Sequence, residues 1–204
     1  AEENPEYQPK TVLYNELEEG VYELVFTNFH GGIFTRYRVG DMFEVVAKED
    51  SELGVNLPQV RFYARGDDVI NLGNFAFLTE KDIWLAVEEA SVDYHEWIAR
   101  KEILDGKAYL HLFVEVDPKN KLDEVEFKKR VKTGLKTINK DFKDLEDMLD
   151  YDALKLTLLN PGAFKSYMDY QQSQGADLAH TKPPHMNPTK DQLGVLIKEK
   201  KIKG

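Results

Sequence analysis

The sequence predicts an α+β fold: antiparallel strands first, then a ferredoxin-like α/β domain. Three observations lead there. Residues 21–48 are rich in β-branched and aromatic side chains and are punctuated by glycines. From Val60 to Gly175 the apolar patterning runs strand, helix, strand, strand, helix, strand, helix, an order that suits a ferredoxin-like unit. Of the 204 residues, 42% are hydrophobic and 11% aromatic, enough to bury a core.

Each element has a local cause. Gly20 is a turn before Val21–Phe26, the first strand. Gly31-Gly32 ends it, a second strand is expected at Ile33–Arg38, and a third at Met42–Ala47 after a turn at Gly40-Asp41. Residues 48–58 are polar and end at Pro58, which marks a surface loop, and a short strand follows at Val60–Ala64. Thr79 with Asp82 three residues on resembles a capping box, and Ile83, Val87 and Ala90 then share a helical face. Ala108, Leu110, Leu112, Val114 and Val116 alternate along a strand whose hairpin partner is Tyr94–Ile103, joined at Asp105-Gly106. Asp123 and Glu126 open a helix striped by Phe127, Val131, Leu135 and Ile138. Leu154–Leu159 reads as a strand. Asn160 is the expected N-cap of a helix with Pro161 at its first position, Phe164 and Met168 inward, and Gly175 as its stop. A Pro-containing loop at 176–188 and a short Lys-rich helix close the chain.

Composition excludes several functions. The net charge of −10 disfavours nucleic acid and an anionic membrane surface as partners. With no cysteine there is no disulfide framework, thiolate nucleophile or Cys-ligated zinc. No apolar run approaches the roughly 20 residues that span a bilayer. Ala1–Pro5 has no signal-peptide character, so a cytoplasmic protein is expected, and the lack of an initiating Met suggests a piece of a longer chain. The five histidines (30, 95, 111, 180, 185) have no metal-ligand spacing, so no metal site is expected. His111, on the outer side of its strand, reads as a surface or interface residue, Glu18-Glu19 and Glu88-Glu89 as solvated pairs, and Trp84 and Trp97 as packing residues.

Three short motifs carry chemistry. In Tyr37-Arg38-Val39-Gly40-Asp41, a strand-end Asp after Gly could aim its carboxylate at the vicinal hydroxyls of a ribose, or could simply belong to a β-turn. In Ala64-Arg65-Gly66-Asp67-Asp68, Arg65 could contact phosphate or ribose oxygens, and Asp67 lies in a polar link suited to a hinge; the alternative is a loop with a local Arg–Asp pair. In His180-Thr181-Lys182-Pro183-Pro184-His185, a Lys beside a rigid Pro-Pro could present its charge to a developing oxyanion, or could be a solvated loop residue.

With these motifs in this order, the chain resembles the GH3 family of acyl-acid–amido synthetases, within the adenylate-forming superfamily. Val21–Val46 looks like the family's YELVVTN…RYRVGD segment. Leu57–Ala90 is similar to its PQ…F…R segment, and Asn160–Pro184 to its PGTFD…MD…S.GA…KTP ending, here Pro161-Gly162-Ala163-Phe164, Met168-Asp169-Tyr170, Ser173-Gln174-Gly175-Ala176 and Lys182-Pro183-Pro184. The resemblance implies that residues 1–58 are terminal β-strands of a large N-terminal adenylation domain lying mostly upstream. Residues 59–204 would be the mobile C-terminal α/β domain, with the hinge near 65–68. It implies an ATP-dependent ligase, using Mg2+, that activates a carboxylic acid as acyl-AMP and passes it to the amine of an amino acid. The piece alone would be inactive without its missing N-terminal domain. Asp41 would hold the AMP ribose, with Arg38, Arg65 and Phe29 also at the nucleotide or acyl pocket. Asp67 would be the hinge between the two half-reactions. Lys182 would be the catalytic lysine that stabilises charge as the carboxylate attacks the α-phosphate. In plants the family acts on hormone acids and is called auxin-responsive.

The sequence departs from the family in places. One extra residue stands between Gly32 and Arg36-Tyr37-Arg38, Asn71-Leu72-Gly73-Asn74 is atypical, and the family's KTPR reads Lys182-Pro183-Pro184-His185, so imidazole replaces guanidinium. A Gly/Ser/Thr-rich phosphate loop has no counterpart. Two alternatives therefore remain: a thioester ligase like the acyl-CoA synthetases, or a non-enzymatic ferredoxin-like module that binds a ligand or partner.

Overall fold

The computed structural model describes residues 9–73, 75–119, 123–177 and 181–198, with Asp67, Leu149 and Lys198 described by backbone alone. The sequence readings of Ala1–Pro5, Asn74 and His180 fall outside the described residues. The chain forms two compact units, 1–66 and 67–204.

The first unit is one antiparallel sheet of β1 (Gly20–Asn28), β2 (Phe34–Ala47) and β3 (Gln59–Arg65), in the order β1-β2-β3. A short 3-10 turn, Tyr14–Glu16, precedes it. The two strands expected at Ile33–Arg38 and Met42–Ala47 are a single strand, because Gly40-Asp41 forms a bulge and not a turn. Glu23 pairs with Met42 and Val25 with Arg38, so Leu24 alone faces Val39, Gly40 and Asp41. Gly40 permits this through φ +84, a left-handed conformation that costs an L side chain energy. The strand 59–65 also departs from expectation. The sequence places it on the C-terminal side of a boundary after Pro58, yet its backbone pairs with β2 from Gln59↔Ala47 to Arg65↔Asp41. Val45 and Ala64 are its buried apolar residues among those described, while Leu24, Tyr37, Val46, Val60 and Phe62 are exposed. Its packing is mainly cross-strand: the rings of Phe26, Phe34 and Tyr37 meet with centroids 5.4 to 5.9 Å apart. The loop 48–58 is tied by an Asp50↔Val55 bridge, and Asp50 accepts from the N–H groups of Glu52 and Leu53.

The second unit begins with a separate hairpin, β4 (Val69–Leu72) and β5 (Ala76–Thr79). Then come α1 (Glu80–Glu89), β6 (Tyr94–Leu104), β7 (Lys107–Val116), α2 (Glu124–Ile138), α3 (Lys140–Leu149), β8 (Leu154–Leu158), α4 (Ala163–Ser173) and α5 (Lys190–Lys198). The α1-β6-β7-α2-β8 succession is the expected α+β pattern. β6 and β7 are antiparallel, β7 and β8 parallel, and the sheet order is β6-β7-β8.

Two cores cover the two sheet faces. On one, Leu110, Leu112 and Val114 pack with Ile83 and Val87 of α1, Phe127, Val131 and Leu135 of α2, and Phe142 and Leu145 of α3. Each such fully buried aliphatic or aromatic side chain stabilises the fold by roughly 1.5–3 kcal/mol. On the other face, Ile98 and Phe113 meet Phe164 and Tyr167 of α4 and Leu193 and Leu196 of α5. Helices α1 and α2 approach closely at Gly134, where an added Cβ would lie 3.1 Å from both Cα and O of Ala86.

Thr79 and Asp82 form the capping box of α1, and Asp123 caps α2 as expected. Other local expectations are corrected. Helix α3 was not foreseen; Asn139 caps it by accepting from Phe142 N–H, and donates to Phe77 O. α4 begins at Ala163 with Gly162 at its N-cap, so Asn160 is not the cap. The capping acceptor comes from another element: Glu115 of β7 accepts from Gly162 N–H at 2.6 Å and Phe164 N–H at 2.9 Å. Tyr167 takes the inward place assigned to Met168, which is only half-buried. Trp97 is buried but Trp84 is 45% exposed. His111 is no surface residue: it stacks on Phe113, lies 2.9 Å from Glu102 and bonds Thr157.

Candidate functional site

The sequence-derived residues divide between the units. In the first, Asp41 and Arg65 are register partners on β2 and β3, and Arg65 Nε lies 4.0 Å from Asp41 Oδ1. That separation is a loose ion pair, weak when exposed, and it leaves acceptor positions on the carboxylate. The Gly40 bulge turns the strand immediately before Asp41. A Cβ at Gly40 would meet Arg65 Nη2 at an ordinary 3.7 Å, so it is the left-handed backbone and not space that calls for glycine there. Arg38 is not joined to them: it forks onto Glu23, with Nε at 2.8 Å and Nη2 at 2.5 Å from the two carboxylate oxygens. The Glu23 hydrogen bond and charge hold Arg38 above its ordinary pKa. Phe29 lies in the β1–β2 connection and is 71% exposed. Asp67 is in the 3-10 turn Gly66–Asp68, and the chain divides into its units between Gly66 and Asp67.

In the second unit, Lys182 lies on the tail that follows α4. The tail runs along β6: Ala99 N–H donates to His185 O at 2.7 Å, and Asn187 N–H donates to Ala99 O at 2.8 Å. Burial alternates there. Thr181 and Pro183 face inward, Lys182 and Pro184 outward, and Met186 enters the core. Two buried neighbours thus hold the backbone while the lysine projects, 73% exposed, with Nζ 3.3 Å from Glu96 Oε2. Lys182, Pro183, Glu96, Glu115, Phe164 and Met168 are among the residues lining a groove of about 440 Å³.

Glu96 is the junction of this site. Its Oε1 accepts from Trp97 N–H and meets His185 Nε2 at 2.9 Å, while its Oε2 takes Lys182. His185 Nδ1 meets Glu80 Oε1 at 2.5 Å, and its ring stacks on Trp97 with centroids 4.7 Å apart. Burial pushes the Glu96 carboxyl up, but the hydrogen bond and charge of His185, with the bonds from Lys182 and Trp97 N–H, together outweigh it, and the group stays below its ordinary value. The Glu96 hydrogen bond, opposed by burial and aided by Glu80, raises the His185 imidazole. An exposed Lys–carboxylate pair is worth only about 0–1 kcal/mol, so Lys182 can leave Glu96 and offer its ammonium to another oxyanion.

Sequence reasoning singled out Lys182 but not Glu80 and Glu96, which the structure gathers around His185 beside it. No spacing could bring Glu80 and Glu96 to His185, which follows them by 105 and 89 residues. The one available signal was the imidazole at 185 where the family pattern has a guanidinium.

Comparison with known proteins completes the picture. The model of the GH3 family central domain matches residues 1–65, and that of the GH3 family C-terminal domain matches residues 85–191. The chain is 30% identical over 190 residues to the jasmonoyl–L-amino acid synthetase GH3.5 of Oryza sativa subsp. japonica, covering 87% of this chain and 31% of that protein. It is 26% identical over 196 residues to the indole-3-acetic acid-amido synthetase GH3.17 of Arabidopsis thaliana, covering 86% and 30%. The chain therefore spans about a third of the length of the curated relatives it matches. Among solved structures, the GH3.15 acyl acid amido synthetase shares the fold, with a TM-score of 0.60 and 20% identity over 92% of this chain and 35% of that one. The C-terminal-domain match alone takes in more than half of the chain, and on that ground the chain belongs to the GH3 family.

Proposed function

We propose that this chain is the C-terminal part of an ATP-dependent ligase that adenylates a carboxylic acid and transfers the acyl group to the amine of an amino acid. The observation that carries this is the family match, which runs through both compact units. The relatives named above conjugate jasmonic acid and indole-3-acetic acid with amino acids, and this chain is read as serving the same class of reaction.

In this reading residues 1–66 are strands of the adenylate-binding part and 67–204 the mobile domain, with Asp67 as the hinge. Asp41 accepts from the ribose hydroxyls, and Arg65 steadies the nucleotide beside it. Arg38 supports the strand through Glu23, and Phe29 offers an aromatic face to the acyl or adenine group. Lys182 leaves Glu96 and stabilises the negative charge that grows on the phosphoryl oxygens as the carboxylate attacks. Among the described residues no three His, Asp or Glu gather as metal ligands. In this proposal Mg2+ comes as the counter-ion of ATP. No helix among the described residues is long and apolar enough to cross a membrane. The cytoplasm is part of the same reading.

The test is pyrophosphate release from ATP by the complete enzyme over a panel of carboxylic acids. Lys182→Ala and Asp41→Ala should each cut the rate by at least about 100-fold, the scale on which single electrostatic groups act. Unchanged rates would remove the assigned roles. Transfer to coenzyme A in place of amino acids would favour the thioester reading.

A further inference from the structure

We propose that His185 is a positioning residue for Lys182, acting through Glu96, and that its charge decides how firmly the lysine is held. The inference rests on the reading of Lys182 given above and adds to it a control on the availability of the ammonium.

The geometry is a chain of four groups. Glu80 on α1 and Glu96 on β6 flank the His185 imidazole, and Glu96 turns its other oxygen to Lys182. With His185 protonated, the two carboxylates face two cations and the set is neutral. Glu96 then shares its charge between imidazolium and ammonium. With His185 neutral, Lys182 is the one remaining cation of the four. Glu96 becomes its full counter-charge, and the lysine is held more tightly. A protonated His185 thus frees Lys182, and a neutral one retains it.

Other features single out this histidine. Its ring is fixed on Trp97, its carbonyl is bonded to Ala99 N–H, and the next residue, Met186, lies in the core. The imidazole therefore cannot drift when its charge changes, so the change falls on its carboxylate partners. Position 185 is three residues beyond Lys182, so the two cations reach one carboxylate from the same short segment. A permanently charged side chain at 185 would remove the dependence on pH. The imidazole makes it titratable near neutrality, and the pairing with Glu96 and Glu80 shifts that titration upward.

The experiment is competitive acylation of lysines in this 204-residue chain, read peptide by peptide, between pH 5.5 and 9, for wild type, His185→Gln and His185→Arg. An amine in a tighter ion pair is less reactive. Lys182 in His185→Gln should therefore react roughly two- to fivefold more slowly than in His185→Arg, the span an exposed ion pair can supply. Wild type should follow the Arg variant at low pH and the Gln variant at high pH. In the Glu96→Gln background the difference should vanish, because the relay is gone. Equal Lys182 reactivity in all three proteins, or a difference that survives Glu96→Gln, overturns the proposal. Should His185→Gln fail to fold, the wild-type profile against that of Glu96→Gln is enough: an inflection present in the first and absent in the second supports the relay, and its absence from both refutes it. If the inflection is present while Lys182→Ala releases pyrophosphate at the wild-type rate in the complete enzyme, the catalytic assignment fails and the electrostatic relay stands.

Discussion

Replacing Glu115 by Ala should loosen the second unit far more than a surface carboxylate would. The side chain is only 4% exposed and accepts from Gly162 N–H at 2.6 Å and Phe164 N–H at 2.9 Å, the first free donors of α4. Phe164 is itself buried, so its N–H cannot turn to water when the acceptor is lost, at a cost of about 1–3 kcal/mol. Gly162 is only half-buried, and rehydration should limit its cost to about 1 kcal/mol. The helix dipole adds up to about 1 kcal/mol, partly offset because a desolvated charge has been removed. The expected loss is about 2–4 kcal/mol. Glu115→Gln keeps one acceptor and should lose about half of that. Both tryptophans, Trp84 and Trp97, belong to the second unit, so urea unfolding followed by selectively excited tryptophan fluorescence reports on that unit. A loss under about 1 kcal/mol for Glu115→Ala would refute the argument that a neighbouring strand caps this helix.

Gly134→Ala should destabilise by about 1–3 kcal/mol in the same assay, because the new methyl meets the backbone of Ala86, which cannot swing aside. Asn139→Ala should cost about 1–2 kcal/mol, since one amide both caps α3 and holds Phe77 O. Two histidines should act oppositely on stability against pH. The raised His185 contributes stability that is fully present below about pH 6.5 and is lost as pH rises through its folded value. His111 is lowered, first by burial and against the opposing Glu102, so it penalises folding as pH falls below about 6.5. Urea curves from pH 5.5 to 8.5 should therefore show His185→Gln losing stability mainly at the acid end, and His111→Gln gaining relative stability there. Asp152 is held low by Lys128 and Lys132 against the upward push of burial, so its share is present above about pH 4 and disappears in stronger acid. Asp152→Asn should flatten that acid limb.

The legible parts of the fold were those written in short-range periodicity. Leu110, Leu112 and Val114 alternate on β7, and Phe127, Val131 and Leu135 recur on α2, so each face could be drawn before any contact was known. The capping box at Thr79 and the N-cap at Asp123 were legible because their partners lie three residues away in sequence. Parts that depend on a partner from elsewhere were not. Gly40 reads as a turn until Leu24 is seen opposite three residues of β2. β3 is apolar enough to suit either unit, and only its pairing with β2 decides. Asn160 has the right chemistry for a cap, but Glu115 arrives from β7 and takes the N–H groups. His111 alternates outward on its strand, yet the sheet is covered on both sides. Asp41 and Arg65 in the first unit and Lys182 in the second were visible as motif residues, whereas Glu96 is an unmarked strand residue whose meeting with His185 and Lys182 exists only in three dimensions.

The tail that bears Lys182 also closes part of the sheet. β6 is the last strand on its side, and the backbone of 185–187 satisfies both the N–H and the C=O of Ala99. A protein shortened before Thr181 would lose more than its lysine. It would bare a ready template for another chain's strand, together with the apolar hollows vacated by Met186, Leu193 and Leu196. The segment that bears Lys182 is thus also a cover for the sheet edge, so shortening it would cost the domain packing and edge protection together.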